Sequence, residues 1–183
     1  MSSLHRPQRQ NKVDPPTAPS EVKNPSRYQS AIEKETIKSI SETQSTPSVV
    51  RFGVVRESSA NTEARTFLYN QYQGRCQVTD YTFLTAKSEN YFVAVCLTSR
   101  TNAEHLNHPG NMLCLSADTA AKFMYGSFEW IDDLEFKIQQ FKASKDGGRM
   151  EDRQLRILIA GEIATITWTE QHFMRMIALW NHA

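Results

Sequence analysis

Two stretches decide our prediction of the fold: Tyr72-Gln-Gly-Arg-Cys-Gln-Val-Thr79 and Pro109-Gly-Asn-Met-Leu-Cys-Leu-Ser-Ala-Asp-Thr119. Each contains a pair of residues at the i, i+3 spacing of a zinc knuckle, Cys76 with Thr79 and Ser116 with Thr119. Structural zinc needs four thiolate or imidazole ligands, commonly supplied as two such pairs. Three of the four positions carry hydroxyl groups, which do not hold zinc at neutral pH. The spacing therefore predicts a knuckle-type fold, and the residues predict that it is metal-free.

The overall charge excludes a strong electrostatic attraction to nucleic acid or to a membrane surface. The 183 residues carry 21 Lys and Arg against 20 Asp and Glu, a formal net charge of +1. No apolar run approaches the roughly 18 residues that a membrane span needs, and the N-terminus lacks the apolar core of a secretory signal. The three cysteines are an odd number and do not suggest a disulfide framework. We expect a protein of the reducing cytoplasm without membrane contact.

The composition changes near residue 48. Six of the seven prolines lie in residues 1–47, whereas all seven glycines lie at or beyond Gly53. Residues 1–48 contain a single aromatic residue, Tyr28, and such a polar segment cannot bury enough apolar area to offset its ordering entropy. We predict a disordered tail over 1–48 and a folded domain over 49–183.

Within the tail, Ser30-Ala-Ile-Glu33 fits the start of a short helix over 30–42. Such a helix would carry Ile32, Ile37 and Ile40 along one side. It could be a fluctuating turn of helix or a segment that docks on a partner.

The folded part mixes helical and strand patterns and predicts an α+β domain. We expect helices over 61–72, over 118–125 with Asp118 as its cap, and after Thr169, where His172 would be a surface residue. Strands are expected over 91–97 and 111–115, and a β-hairpin over 155–168. Residues 128–141 fit either a strand followed by a helix or one helix.

The order helix, knuckle, strand, loop, strand, helix is that of the ββα-metal, or His-Me finger, unit. With Gly74-x-Cys76-x-x-Thr79-x-Tyr-Thr-Phe83 and Pro109-Gly-Asn-x-Leu-Cys-Leu115, the chain resembles the HNH endonuclease family. It is more closely similar to the HNH-like domains found beside sacsin-type ATPase regions in bacterial proteins. The C-terminal hairpin and helix also resemble those proteins, so the resemblance covers roughly residues 54–180. It implies a treble-clef core and a setting in bacterial defence.

The resemblance also implies that the catalytic groups are missing. The family's general base falls on Val95 and Cys96, which cannot act there as imidazole does. The central asparagine is retained as Asn111, but the final histidine, a ligand of the catalytic metal, falls on Ala120. The expected function is therefore that of a catalytically inactive HNH-like module, or pseudo-nuclease, that uses no cofactor.

The alternative is an active, metal-dependent HNH-type DNA endonuclease with a rearranged site. His105 or His108 would be the base, and Asn111, Asp118 or Glu104 would help to hold Mg²⁺. The same two histidines fit an ordinary solvated loop. A rearranged zinc site would need the three cysteines, of which Cys96 and Cys114 fit core thiols better.

The partner of the module stays open between a protein and DNA. Four basic residues fall in or near the HNH-like unit and could contact phosphates: Arg65, Arg75, Arg100 and Lys122. Phosphate contacts need positive charge and no metal. The sequence contains no dense Lys/Arg run, so these residues also fit ordinary solvated charges. The oligomeric state is open as well.

Overall fold

The computed structural model describes residue 22, residues 24–43, 62–97, 108–144 and 149–180, with side chains described up to Lys38 in the first of the helices. These residues form an α+β fold, as predicted, with five helices and two antiparallel sheets among them. The elements are α1 Pro25–Thr43, α2 Thr62–Tyr72, β1 Val93–Cys96, β2 Met112–Leu115, α3 Ala117–Tyr125, β3 Phe128–Trp130, α4 Leu134–Ala143, β4 Gln154–Ile159, β5 Glu162–Thr167 and α5 Glu170–Trp180.

The smaller sheet pairs β1 with β2, and α3 follows directly. Val93 pairs with Leu115 and Cys96 with Met112, so the two short strands run antiparallel over their full length. Helix α3 is capped by Ser116, whose side chain accepts a hydrogen bond from the Thr119 amide, and not by Asp118 as the sequence had suggested. Ser116 is the N-cap because its backbone is extended, whereas Asp118 lies within the first helical turn.

The larger sheet has the order β3-β4-β5. Its β4–β5 hairpin confirms the predicted one, and it turns through Ala160 and Gly161, which both have positive φ angles of 49° and 80°. Two successive positive φ angles characterise the type I′ turn, which matches the twist of paired strands. Residues 128–141 contain a strand followed by a helix, the first of the two predicted alternatives.

Helix α1 corrects the prediction of a disordered tail for the part of residues 1–48 that the structure describes. The helix begins at Pro25, five residues before the predicted start, and the Asn24 side chain caps it by accepting from the Arg27 amide at 3.1 Å. Ile32 is 2 % exposed and belongs to the main core, whereas Ile37 is exposed. Proline in the first turn and asparagine before it are strong helix-start signals. Docking against α5 supplies the burial that composition alone did not indicate.

A short 3-10 turn, Pro109–Asn111, seats the start of β2 against α5. Gly110 is required here, because a Cβ atom on it would lie 2.5 Å from the Arg175 carbonyl oxygen. The main core combines β4, β5, α4 and α5 with residues of β1 and β2. A second, smaller cluster packs α2 on β2 through Ala64, Leu68, Phe92, Met112 and Cys114.

None of the helices described combines the length and the apolar character that crossing a bilayer requires.

Candidate functional site

The four positions with zinc-knuckle spacing lie together, and we name them the hydroxyl cluster: Cys76, Thr79, Ser116 and Thr119. The Cys76 thiol donates to Thr119 Oγ1 at 3.7 Å, and the Ser116 and Thr119 hydroxyl oxygens are 2.9 Å apart. The Thr79 side chain hydrogen-bonds the same thiol. Two pairs that are 40 residues apart in the sequence therefore meet around one sulfur atom.

Local backbone structure places each pair. A tight turn brings Thr79 back over Cys76, because the Asp80 amide donates to the Cys76 carbonyl at 2.8 Å and the Cys76 amide donates to the Tyr81 carbonyl at 3.0 Å. Ser116 and Thr119 face the same way because they occupy the cap and the third position of α3. Turn and helix start are joined where the Gln77 amide donates to the Cys114 carbonyl at 2.9 Å.

The environment of Cys76 lowers the pKa of its thiol but does not make a metal site. Burial raises the pKa of the thiol, but hydrogen bonds from the Thr79 side chain and from the Ser116, Thr79 and Val78 amides outweigh burial, so the pKa lies below its usual value. Zinc requires four such ligands, and the hydroxyl cluster has one thiol. Within the described ranges, no group of three or more His, Cys, Asp and Glu side chains is arranged to hold a metal ion.

Val95 and Ala120, two of the positions expected for the general base and the catalytic metal ligand, lie inside the protein, and Cys96 is partly buried. Val95 is 6 % exposed and Ala120 is 1 % exposed, and both belong to the main hydrophobic core. Burial raises the pKa of Cys96, whose sulfur lies 3.6 Å from the Met112 sulfur. Asn111 is 1 % exposed, and its carbonyl accepts from the Leu97 amide at 2.6 Å. Val95 and Ala120 thus pack the core and offer no proton acceptor or metal ligand.

His108, one of the two histidines of the alternative site, has both ring nitrogens engaged. Its Nδ1 accepts from the Gly110 amide at 3.0 Å, and its Nε2 lies 3.4 Å from Thr36 Oγ1. Because Nδ1 accepts, the proton of the neutral ring sits on Nε2. The ring caps the 3-10 turn and contacts α1. His105 and Glu104 lie outside the described residues, and the exposed Asp118 pairs with Lys122 at 3.7 Å.

Two of the candidate phosphate-binding residues already have acidic partners. Arg75 forms an ion pair with Asp80 at 3.0 Å, and Lys122 forms one with Glu162 at 3.0 Å. The hydrogen bond to Glu162 raises the pKa of Lys122. The Arg65 guanidinium lies over the Phe92 ring, 4.3 Å from its centroid. Arg100 lies outside the described residues.

Beside the hydroxyl cluster lies a second buried polar region that the sequence analysis missed. We name it the Tyr72 network: Tyr72, Gln77, Thr169 and His172. The Tyr72 hydroxyl accepts from Gln77 Nε2 at 3.0 Å and from the Thr169 amide at 3.2 Å. It lies 2.6 Å from His172 Nδ1. His172, predicted at the surface, is fully buried, because α5 is covered on nearly all sides.

Gln77 connects this network to both sheets. Its Oε1 accepts from the Cys114 amide at 2.8 Å, and its Nε2 also donates to the Thr167 carbonyl at 3.1 Å. The backbone of Gln77 further accepts from the Thr167 amide at 3.0 Å. A single buried side chain thus ties the tight turn at Cys76 to β2 and to β5. No local pattern indicates this role, because every partner except Tyr72 is far away in the sequence.

Burial decides the charge of His172. The Tyr72 hydroxyl accepts from Gln77 and from the Thr169 amide and lies 2.6 Å from His172 Nδ1, so the two rings share a hydrogen bond whose donor depends on the tautomer. Burial lowers the pKa of His172 to about 3, with Arg175 and His108 adding to the effect. The Pro109 and Met112 backbones act in the opposite direction and are outweighed. His172 therefore stays neutral throughout the physiological range.

Comparisons with models of protein families, with curated proteins and with solved structures gave no significant match for this chain.

Proposed function

We propose that this chain is a catalytically inactive HNH-like module that binds another macromolecule, with a protein as the favoured partner. The observation that carries the proposal is the convergence of Cys76, Thr79, Ser116 and Thr119 around one thiol. A structural zinc site is commonly built from two such pairs brought around one point. Here one i, i+3 pair lies in a tight turn and the other at the start of the helix that follows a two-stranded sheet. In this chain, hydrogen bonds among the four side chains occupy the place of the metal–ligand bonds of a zinc site.

The chemistry of the neighbouring positions supports the absence of catalysis. Phosphodiester hydrolysis needs a base that takes a proton from water and a metal that stabilises the developing charge. Val95 and Ala120, where the HNH resemblance puts the base and a metal ligand, have apolar side chains packed in the core. Asn111, the retained family residue, is buried at the 3-10 turn.

Charge pairing favours a protein over nucleic acid. Binding to phosphates is driven by free cationic groups that release counterions. Arg75 and Lys122 are neutralised by Asp80 and Glu162, so a phosphate would first have to displace these carboxylates. Each exchange lessens the gain from counterion release by the small free energy of an exposed ion pair.

A plasmid-nicking assay tests the lack of catalysis. Purified protein with Mg²⁺ or Mn²⁺ is expected to nick supercoiled DNA no faster than buffer with metal alone. The matched sample is the double variant His105→Ala/His108→Ala, which should be indistinguishable from wild type. Nicking by the wild type that disappears in the double variant would establish the alternative, an active nuclease with a rearranged site.

A gel-shift titration tests the class of partner. Single-stranded and duplex DNA are mixed with the protein at low salt and again at about 0.2 M salt, where phosphate-driven binding weakens by orders of magnitude. We expect no shift at either salt concentration. A shift at low salt that is lost at high salt, and lost in the variant Arg75→Glu/Lys122→Glu, would replace the protein partner with nucleic acid.

A further inference from the structure

An open cleft of about 420 Å³ lies between the connection from β3 to α4 and the C-terminal end of α5. The lining divides into an apolar part and an acidic part: Trp130, Ile131, Leu134 and Trp180, and Asp132, Asp133 and Glu135. This composition differs from that of the hydroxyl cluster and of the Tyr72 network, which both lie elsewhere.

Two tryptophans dominate the apolar part. Trp180 is 43 % exposed, a large fraction for an indole, while the Trp130 ring is held edge-on by Phe128 with centroids 5.1 Å apart. Trp168, by contrast, is buried in the main core at 2 % exposure. Indole faces attract cations more strongly than other aromatic rings do. The cleft therefore offers a cationic group two indole rings, that of Trp130, which Phe128 holds in place, and that of Trp180, which is exposed.

One of the three carboxylates is already neutralised. Asp132 Oδ1 accepts from Arg156 Nε at 3.0 Å and from Nη2 at 2.7 Å, which lowers the pKa of Asp132. Lys137, which also acts on Asp132, donates to the Glu151 carbonyl at 3.1 Å. The Arg156 contacts hold Asp132 in the connection between β3 and α4 and balance its charge.

The other two carboxylates give the cleft its sign. Asp133 caps α4 by accepting from the Phe136 amide at 3.1 Å, and Glu135 lies in the first turn of that helix. Neither forms an ion pair with any residue that the structure describes. Helix α4 begins at the cleft and α5 ends there, so the partial charges of the two helix ends oppose each other. Lys137 also acts on Asp132 and is a cation beside the cleft. Asp132, Asp133 and Glu135 against Arg156 and Lys137 leave a formal charge of −1, so the cleft stays acidic.

We propose that this cleft binds an arginine or lysine side chain of a partner polypeptide, packed against Trp130 and Trp180 with its charge near Asp133 and Glu135. A neutral apolar ligand would strip water from the carboxylates without compensating them, and an anion would be repelled. A basic side chain matches both parts, because its aliphatic stem is apolar and its end is charged. The inference rests on the proposed partner-binding function and names the chemistry of that partner.

Short peptides test this proposal. Three blocked pentapeptides, each with a central arginine, lysine or norleucine between glycines, are titrated into the full chain up to about 10 mM, the weak-binding range for one side chain. The indole N–H signals are followed by ¹H–¹⁵N NMR. The arginine and lysine peptides should shift the signals of Trp130 and Trp180 saturably and leave Trp168 unmoved. No shift, or an equal shift with the norleucine peptide, would overturn the proposal.

Charge variants sharpen the test. Asp133→Asn/Glu135→Gln keeps the capping oxygen of α4 while removing both charges, and it should weaken binding of the arginine peptide at least fivefold. Glu129→Gln is the matched control, because Glu129 is exposed on β3 but alternates to the opposite face from Trp130, and it should bind as wild type does. If the double variant bound the arginine peptide as tightly as wild type, the proposal of a cationic ligand would be refuted.

The two proposals fail differently. Peptides that do not bind would refute the basic ligand and leave the inactive HNH-like module standing. Plasmid nicking that depends on the two histidines would refute the inactive module and leave peptide binding at the cleft unaffected.

Discussion

Cys76 and Gln77 are neighbours in the chain, yet each belongs to a different buried polar region. Around Cys76, the hydroxyl cluster contains a 3.7 Å contact from sulfur to oxygen and a 3.4 Å contact from the Thr119 amide to the Ser116 hydroxyl. Its 2.9 Å bond joins Ser116 to Thr119, both at the start of α3, and does not reach the turn at Cys76. Around Gln77, the Tyr72 network contains hydrogen bonds of 2.6 to 3.2 Å. The difference teaches that the turn at Cys76 is stabilised mainly by the Gln77 amide and the Tyr72 hydroxyl. The short side chains at the four positions with zinc-knuckle spacing contribute less.

Restoring the thiols gives the largest expected effect. The variant Thr79→Cys/Ser116→Cys/Thr119→Cys should bind about one zinc ion per chain, because structural zinc in small domains contributes roughly 10 kcal/mol or more. Zinc content after dialysis and the absorption spectrum of a Co²⁺-loaded sample measure this. Thr66→Cys/Thr82→Cys/Thr165→Cys, with thiols on three separate elements, should bind none. A folded triple variant without zinc would mean that the two pairs do not form a knuckle.

Removing the central amide has the next largest effect. Gln77→Met should lower the free energy of unfolding by about 4 kcal/mol, because three buried hydrogen bonds are lost and their partners stay desolvated. Urea denaturation measures the change. Gln139→Met, on the exposed face of α4, is the control and should stay within about 0.5 kcal/mol of wild type. Equal stability of the two variants would mean that the hydroxyl cluster, and not Gln77, mainly stabilises the turn at Cys76.

Acid should weaken the Tyr72 network selectively. The pKa of His172 is about 3 in the folded chain against 6.5 for an unperturbed histidine, so the unfolded state binds the extra proton between these values. Its stabilising effect is complete above pH 6.5 and is lost as the pH falls toward 3, which amounts to about 2 kcal/mol between pH 7 and pH 5. Urea denaturation at the two pH values measures this. His172→Gln should reduce the pH dependence, and an unchanged dependence would contradict the assignment.

The smallest effect is expected at the hydroxyl cluster itself. Thr119→Val keeps the volume but removes the oxygen that the Cys76 thiol and the Ser116 hydroxyl contact, and it should cost about 1 kcal/mol. The unfolding free energy is compared with that of Thr165→Val on β5, which should be near neutral. A loss as large as that of Gln77→Met would reverse the ranking of the two regions.

Elements with a strong local pattern were predictable from the sequence. The β4–β5 hairpin, the Thr169 cap of α5 and the strand pair before α3 follow from alternation, capping residues and β-branched runs. The meeting of Cys76 and Thr79 with Ser116 and Thr119, 40 residues further on, was expected from the zinc-knuckle spacing of the two pairs. A recognisable spacing can thus indicate a long-range contact that local structure alone does not.

Features that depend on distant contacts were not predictable. His172 is buried because α5 packs against α1, the 3-10 turn and the core. A helix that is buried on almost every side has no amphipathic pattern, so the position of His172 in the helix does not indicate its burial. Nothing in the sequence around Gln77 distinguishes it from a surface glutamine, because its burial comes from β2 and β5. Composition also misjudged α1, whose own segment is polar but whose Ile32 inserts into a core built by the rest of the chain.

The contact between α1 and α5 has a consequence for the order of folding during synthesis. The Val22 amide donates to Glu170 Oε2 across 148 positions, and Arg175 pairs with Glu35 across 140. Helix α1 is synthesised well before α5, which is the element on which it mainly docks. Closing such a long loop is slow, and the N-terminal helix must wait exposed in the meantime. A ribosome stalled before residue 170 would therefore hold a nascent chain whose first helix is still accessible to protease.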